Sequence, residues 1–205
     1  MRESHPQRRA FWLKHLHRWH WISAALSLIG MLLFAATGIT LNNAAHIEAS
    51  PSIVTGAAVL PDPLRAELAA AEETTTLPPA IERWLATELG VAVAGRETER
   101  SPGEIYIALP RPGGDAWLTI DTESGDVAYE LTRRGWISYL NDLHKGRNTG
   151  IVWSWFLDVF AGACVVFCLT GLFLLQLHAG NRPATWPVVG AGLAIPLLLA
   201  LLLIH

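Results

Sequence analysis

LHRWHWISAALSLIGMLLFAATGITLNN, residues 16–43, decides the fold of this chain. After Arg18 the next charged residue is Glu48. The apolar run from Trp19 to Leu41 reaches the length of about 20 residues that crosses a bilayer as a helix. Arg18, Trp19 and Trp21 are the cation and aromatics that anchor such a span at the interface. An anchor has no need of imidazoles, yet His15, His17 and His20 crowd the same doorstep.

Two further runs are apolar enough to span. One extends roughly from Ile151 to Leu177 and contains a single acid, Asp158; the other extends roughly from Trp186 to Ile204. The chain has 205 residues, of which 51% are hydrophobic and only 16% charged, a balance outside the range of ordinary soluble domains. Before residue 22, five cations (Arg2, Arg8, Arg9, Lys14, Arg18) face one acid, Glu3, whereas residues 43–150 carry 9 Lys/Arg against 16 Asp/Glu. By the positive-inside rule the N-terminus stays in the cytoplasm. The acidic middle then lies outside, the short link after His178 returns inside, and the C-terminus ends outside. A cleaved signal peptide is the rival reading of the first run, but that run is long and two more follow it. The basic residues form no extended patch, so the sequence predicts no nucleic-acid binding.

The expected organisation is a cytoplasmic segment (1–18), a first span (19–42), an extracytoplasmic domain (43–150), a second span (151–177), a cytoplasmic loop (178–185) and a third span (186–205). Cys164 and Cys168, four apart on the second span, share a helix face and read as small packing residues. No Cys-x-x-Cys-His occurs, so covalent haem attachment is not indicated.

Within the middle region, PPAIERWLATELG reads as a helix. Pro78 and Pro79 open it, Ile81, Trp84, Leu85 and Leu89 line one face, and Gly90 ends it. GEIYIALP alternates as a strand. AWLTIDTESGDVAYEL reads as a hairpin, with Leu118 and Ile120 before a turn at Ser124-Gly125 and Val127, Tyr129 and Leu131 after it. The pattern is α+β. It contains no Ser/His/Asp or Cys/His set, and its only histidines, His46 and His144, sit at its two membrane-proximal ends.

On this topology His15, His17, His20 and His178 fall at the cytoplasmic side, and His46, His144 and His205 at the outer side; only His5 is left over, in the N-terminal tail. Two layers of histidine at helix ends suit a membrane b-type cytochrome, in which imidazoles from different helices clamp one porphyrin. Residues at i and i+3 of one helix cannot hold opposite faces of one haem. At most one of His17 and His20 therefore ligates a given iron, with His178 as the partner at that depth. At the outer side His144 with His46 is the expected pair and His205 the reserve. An interfacial histidine is also an ordinary amphipathic anchor, and the residues alone leave both readings open. Asp158, about two turns into the second span, marks a functional site by default. It would hydrogen-bond an axial histidine, carry protons to a quinone, or pair with a polar group on a neighbouring helix. Gly162 and Gly171 would let a helix or a porphyrin approach closely.

The stretch LHRWHWISAALSLIGMLLFAATGITLNN, the stretch DLHKGRNTGIVWSWFLDVFAGACVVFCLTGLFLLQLH and the hairpin TIDTESGDVAYEL together resemble the PepSY-associated transmembrane family. The two long motifs echo each other, with Leu-His and a cation followed later by Thr37-Gly38 or Thr170-Gly171. The resemblance implies an α-helical integral membrane protein of the bacterial inner membrane, with three spans and a small PepSY-like α+β domain inserted between the first two. Some members bind haem b and pass electrons across the membrane, including in the reduction of ferric siderophores. Related genes accompany flavin-carrying extracytoplasmic electron-transfer systems. His17 matches the histidine of the first motif and His144 that of the second. Many relatives have Asn-His where this chain has Asn42-Asn43, and His46 lies three residues on.

Two functions follow as expectations. In the first, the chain holds one or two haems b between a quinol or cytoplasmic reductase and an outer acceptor such as a ferric chelate or a flavoprotein. With about 30 Å of hydrocarbon to cross, two layers of ligands fit better than one. The chain has no Gly-x-Gly-x-x-Gly after a strand, so it is not a self-sufficient nicotinamide-dependent reductase. In the second, it is a non-redox module whose outer domain binds a protein or peptide or assists metal transport.

Overall fold

The computed structural model describes residues 4–48, 50–71 and 74–204. Three long apolar helices dominate it: α1 (Ser4–Asn42), α5 (Ile151–His178) and α6 (Thr185–Leu203). Each is long and apolar enough to cross a membrane. Between α1 and α5 in chain order come three shorter helices, α2 (Asp62–Ala70), α3 (Pro79–Glu88) and α4 (Trp136–Lys145). The same interval holds five strands, β1 (Ser52–Val59), β2 (Glu99–Ser101), β3 (Glu104–Ala108), β4 (Gly114–Asp121) and β5 (Asp126–Arg133). The chain divides into two compact units, one formed by Phe34–Ser154 and the other by the segments on either side of it.

In the helical unit α1 is helical from Ser4, so the segment before the apolar run continues the span as one rod. Small residues lie along α1 beside its histidines. Ser23 and Ser27 are buried, and Gly30 lies where the ring of Phe160 rests. Small residues let two helices close up where water is unavailable to drive association. The serine hydroxyls expose no unpaired donor: Ser23 donates to the Trp19 carbonyl at 2.8 Å and Ser27 to the Ser23 carbonyl at 2.7 Å. Helix α6 buries no side chain against the rest of the chain, as expected for a surface facing acyl chains.

The other unit is a five-stranded antiparallel sheet in the order β1-β5-β4-β3-β2, with α2 and α3 contributing to the same core. The hairpin read from the sequence is β4–β5, with Leu118 opposite Tyr129 and Ile120 opposite Val127. Alternate β4 residues Gly114, Ala116, Leu118 and Ile120 are buried, as a sheet covered on one face requires. Ile81 and Leu85 of α3 fill the core with Ile105, Ile107, Leu118 and Ile120, all essentially inaccessible. The helix opens with Pro79 at its first turn, where a missing N–H costs nothing. Strand β1, helices α2 and α4, and the short β2 complete the unit.

Helix α4 closes with a tight turn. It ends in a left-handed Gly146 (φ 67°), whose N–H and that of Arg147 turn back to the carbonyls of Leu143 and Asp142. This is a glycine C-cap, for which a side chain would be strained. The cap holds His144 in the last turn of α4. The indole of Trp153 at the start of α5 donates to the Leu143 carbonyl at 2.9 Å.

Candidate functional site

His17 on α1 and His178 at the end of α5 come together. Their ring centres are 6.2 Å apart and their planes stand at 87°. Nδ1 of His17 is 2.9 Å from the carbonyl of Leu13, and Nδ1 of His178 is 2.8 Å from the carbonyl of Leu174. A carbonyl only accepts, so both imidazoles donate from Nδ1–H, which leaves Nε2 with the lone pair. Two imidazoles on one iron, each bonded at about 2 Å, place their ring centres about 6 Å apart. His17 and His178 are thus two imidazoles from different helices that would be available to hold such a group, each ring tied to its own helix by a backbone carbonyl. Among the described residues no group of three or more His, Cys, Asp or Glu side chains converges as a metal cage. A haem clamp needs only two.

His20 lies one turn further along α1 and meets a different partner. Its Nδ1 is 3.0 Å from Thr170 Oγ1, its ring stacks on Phe167 with centres 4.7 Å apart, and its Cε1 lies over Gly171. The spacing therefore separates the two histidines that the sequence left as alternatives: His17 faces His178 and His20 faces Thr170. His15 packs its ring against Phe11, at 4.2 Å.

In the other unit, His144 of α4 is half-buried against α1. Its Nδ1 is 2.7 Å from Thr37 Oγ1, its ring centre is 4.9 Å from that of Phe34, and its Cε1 lies over Gly38. The neighbouring Asn141 is buried and accepts a hydrogen bond from Thr40 at 2.9 Å. His46 ends the short 3-10 turn after α1 (Ala44–His46) and is exposed; among the described residues it has no side-chain hydrogen bond or ring contact. His205 lies outside the described residues. Asp158 is exposed on α5, and no described side chain hydrogen-bonds to it. Gly171 does accommodate a close neighbour, the His20 ring, whereas Gly162 faces open space.

Sequence reading missed Phe34 and Phe167 and the hydrogen-bonding role of Thr37 and Thr170. The signal was present: each Thr-Gly echo is preceded by a phenylalanine at the same distance, in Phe34-Ala35-Ala36-Thr37-Gly38 and Phe167-Cys168-Leu169-Thr170-Gly171.

The PepSY_TM-like family model matches residues 11–205, nearly the whole chain. No curated protein and no solved structure matches it.

Proposed function

We propose that this chain, which belongs to the PepSY_TM-like family, is a haem-b-binding protein of the bacterial inner membrane that passes electrons across it. The observation that carries the reading is the His17–His178 pair: two imidazoles from different spans, with ring centres 6.2 Å apart and each Nδ1 turned to a carbonyl of its own helix. When bound, haem iron supplies one-electron exchange. The protein's part is to supply the lone pairs, to fix both rings through the Leu13 and Leu174 carbonyls, and to close α1 on α5 through Ser23, Ser27 and Gly30.

The cationic N-terminal segment supports a cytoplasmic location for the His17–His178 end, where a quinol or a cytoplasmic reductase would donate. His144 and His46 flank the acidic domain at the other end of the first two spans in sequence. There a ferric chelate or an extracytoplasmic flavoprotein would accept. Two haems, one per histidine set, make the relay.

An optical spectrum of the purified protein, oxidised and then reduced with dithionite, is the decisive experiment. The expected result is the sharpened α-band of a low-spin b-type haem. His178→Ala, and His17→Ala alone and with His20→Ala, should remove about one haem equivalent or convert it to high spin. A wild-type protein without a haem spectrum, or one whose spectrum ignores both the His178 and the His17/His20 variants, overturns the reading in favour of the non-redox module.

A further inference from the structure

The pattern Phe-x-x-Thr-Gly occurs on α1 (34–38) and on α5 (167–171), and each copy carries one histidine from another helix. On a helix, residues at i, i+3 and i+4 share a face. The pattern thus builds a niche with a flat aromatic wall, a hydroxyl, and a floor with no Cβ. The floor differs in tightness. A methyl on Gly171 would stand 3.3 Å from His20 Cε1, closer than ordinary contact, and one on Gly38 would stand 3.6 Å from His144 Cε1, which is ordinary contact.

Each threonine hydroxyl also reaches carbonyls of its own helix. Thr170 Oγ1 is 2.7 Å from the Val166 carbonyl and 3.0 Å from the Phe167 carbonyl; Thr37 Oγ1 is 3.1 Å from the Phe34 carbonyl. Carbonyls accept only, so each threonine has an acceptor on its own helix for its single hydroxyl proton, which leaves its oxygen able to accept from the imidazole. In that arrangement Nδ1 carries the proton and Nε2 keeps the lone pair. His17 and His178 reach the same tautomer through backbone carbonyls.

We propose that Phe-x-x-Thr-Gly is an imidazole holder used twice, in which Thr37 and Thr170 are positioning residues that fix His144 and His20 as Nδ1–H tautomers with Nε2 as the donor atom. The holder stands on its own chemistry. Its consequence for metal binding rests on the proposed haem function: Thr37 orients His144 as an outer ligand, and losing such a partner typically weakens metal retention about 10–100-fold.

The test uses full-length protein in lipid nanodiscs, labelled with 15N-histidine and prepared without haem. His20→Ala and His144→Ala identify the two signal sets. In wild type both histidines should show a protonated Nδ1 and a bare Nε2. Thr170→Val and Thr37→Val, which keep the shape but lose the oxygen, should each turn one histidine alone into a tautomer mixture, and Thr→Ser should restore it. A wild-type Nε2–H tautomer, or Val variants with unchanged signals, overturns the holder. A second arm measures haem retention and the midpoint potential. Thr37→Val should weaken retention within the stated range and shift the potential, with Thr37→Ser returning both. Unchanged retention and potential would overturn the link to the haem. A wild-type protein that takes up no haem defeats the haem function, while the nitrogen signals still decide the holder.

Discussion

Gly113 carries a constraint out of proportion to its size. Its φ of +74° is in the left-handed region, its N–H donates to the buried carboxylate of Asp142 at 2.8 Å, and a Cβ there would stand 2.8 Å from the Tyr139 Cα. Strain and overlap act together, so Gly113→Ala should cost about 1–3 kcal/mol. Asp142→Ala should cost a similar amount, roughly 1–3 kcal/mol, because it leaves a buried donor unpaired. Thermal unfolding followed by near-ultraviolet circular dichroism checks both; a midpoint unmoved by Gly113→Ala would refute the close approach. Asp121 is a case of charge. The backbone N–H of Ser124, then that of Glu123, then the Ser124 side chain hold its carboxylate, and together they lower its pKa below the usual aspartate range. A lowered folded pKa means a contribution present above the unfolded value, about 3.9, and lost as pH falls through the folded one. Asp121→Asn keeps a turn-forming acceptor but removes the charge. It should flatten the acid limb of the stability profile by lowering stability at neutral pH, with little change at pH values below the folded pKa.

Among the elements, the spans were legible because a bilayer dictates length and excludes charge, and the β4–β5 hairpin because one covered face enforces alternation. Strand β1 was not. Its residues Ser52–Val59 are mostly exposed, so no alternating burial is written into them. Helix α4 was hidden for a related reason: its buried residues are Asn141 and Asp142, whose partners are a hydroxyl and a glycine N–H, and no hydropathy pattern reports that. The candidate histidines were visible in the sequence near the ends of the apolar runs. Their partners were not, since His144 and Thr37 are joined by a hydrogen bond between residues 107 positions apart. Packing of α1 on α5 gives a sign test. In an open helix position Gly→Ala stabilises by about 0.5–1 kcal/mol. Gly162 faces open space and should follow that rule, whereas a methyl on Gly30 would lie 2.3 Å from the Phe160 ring. Gly30→Ala should therefore destabilise, by about 1–3 kcal/mol, and Phe160→Ala in the same chain should recover part of that loss. Denaturation midpoints in detergent would show it. Equal effects at residues 30 and 162 would mean that Phe160 does not rest on Gly30.

For the whole molecule, the cationic start and the acidic middle predict that reporter fusions after Ala10, Arg100 and Arg182 read inside, outside, inside. An externally placed residue 182 would exclude three alternating spans. Transfer across the membrane asks more than topology. The hydrocarbon core is about 30 Å thick, so on the proposed haem function a single haem at His17 and His178 would leave the far face unserved, and a relay would need a second at the outer histidines. His144 is ready for that role: it is half-buried, seated on Phe34 and hydrogen-bonded to Thr37. His46 is exposed on the turn that follows α1, so a haem would have to be clamped by drawing it in. Asymmetric preparation of the two ligands sets an order of sensitivity. Wild-type protein should carry close to two haems per chain. His144→Ala should bring the ratio toward one and abolish the outer signal in a redox titration, while His46→Ala should leave an outer haem that is retained more weakly or turns high-spin. Pyridine haemochrome analysis against protein concentration gives the ratio. A value near one that ignores His144 would leave a single haem at the His17–His178 end, and electrons would then need a partner protein to finish the crossing.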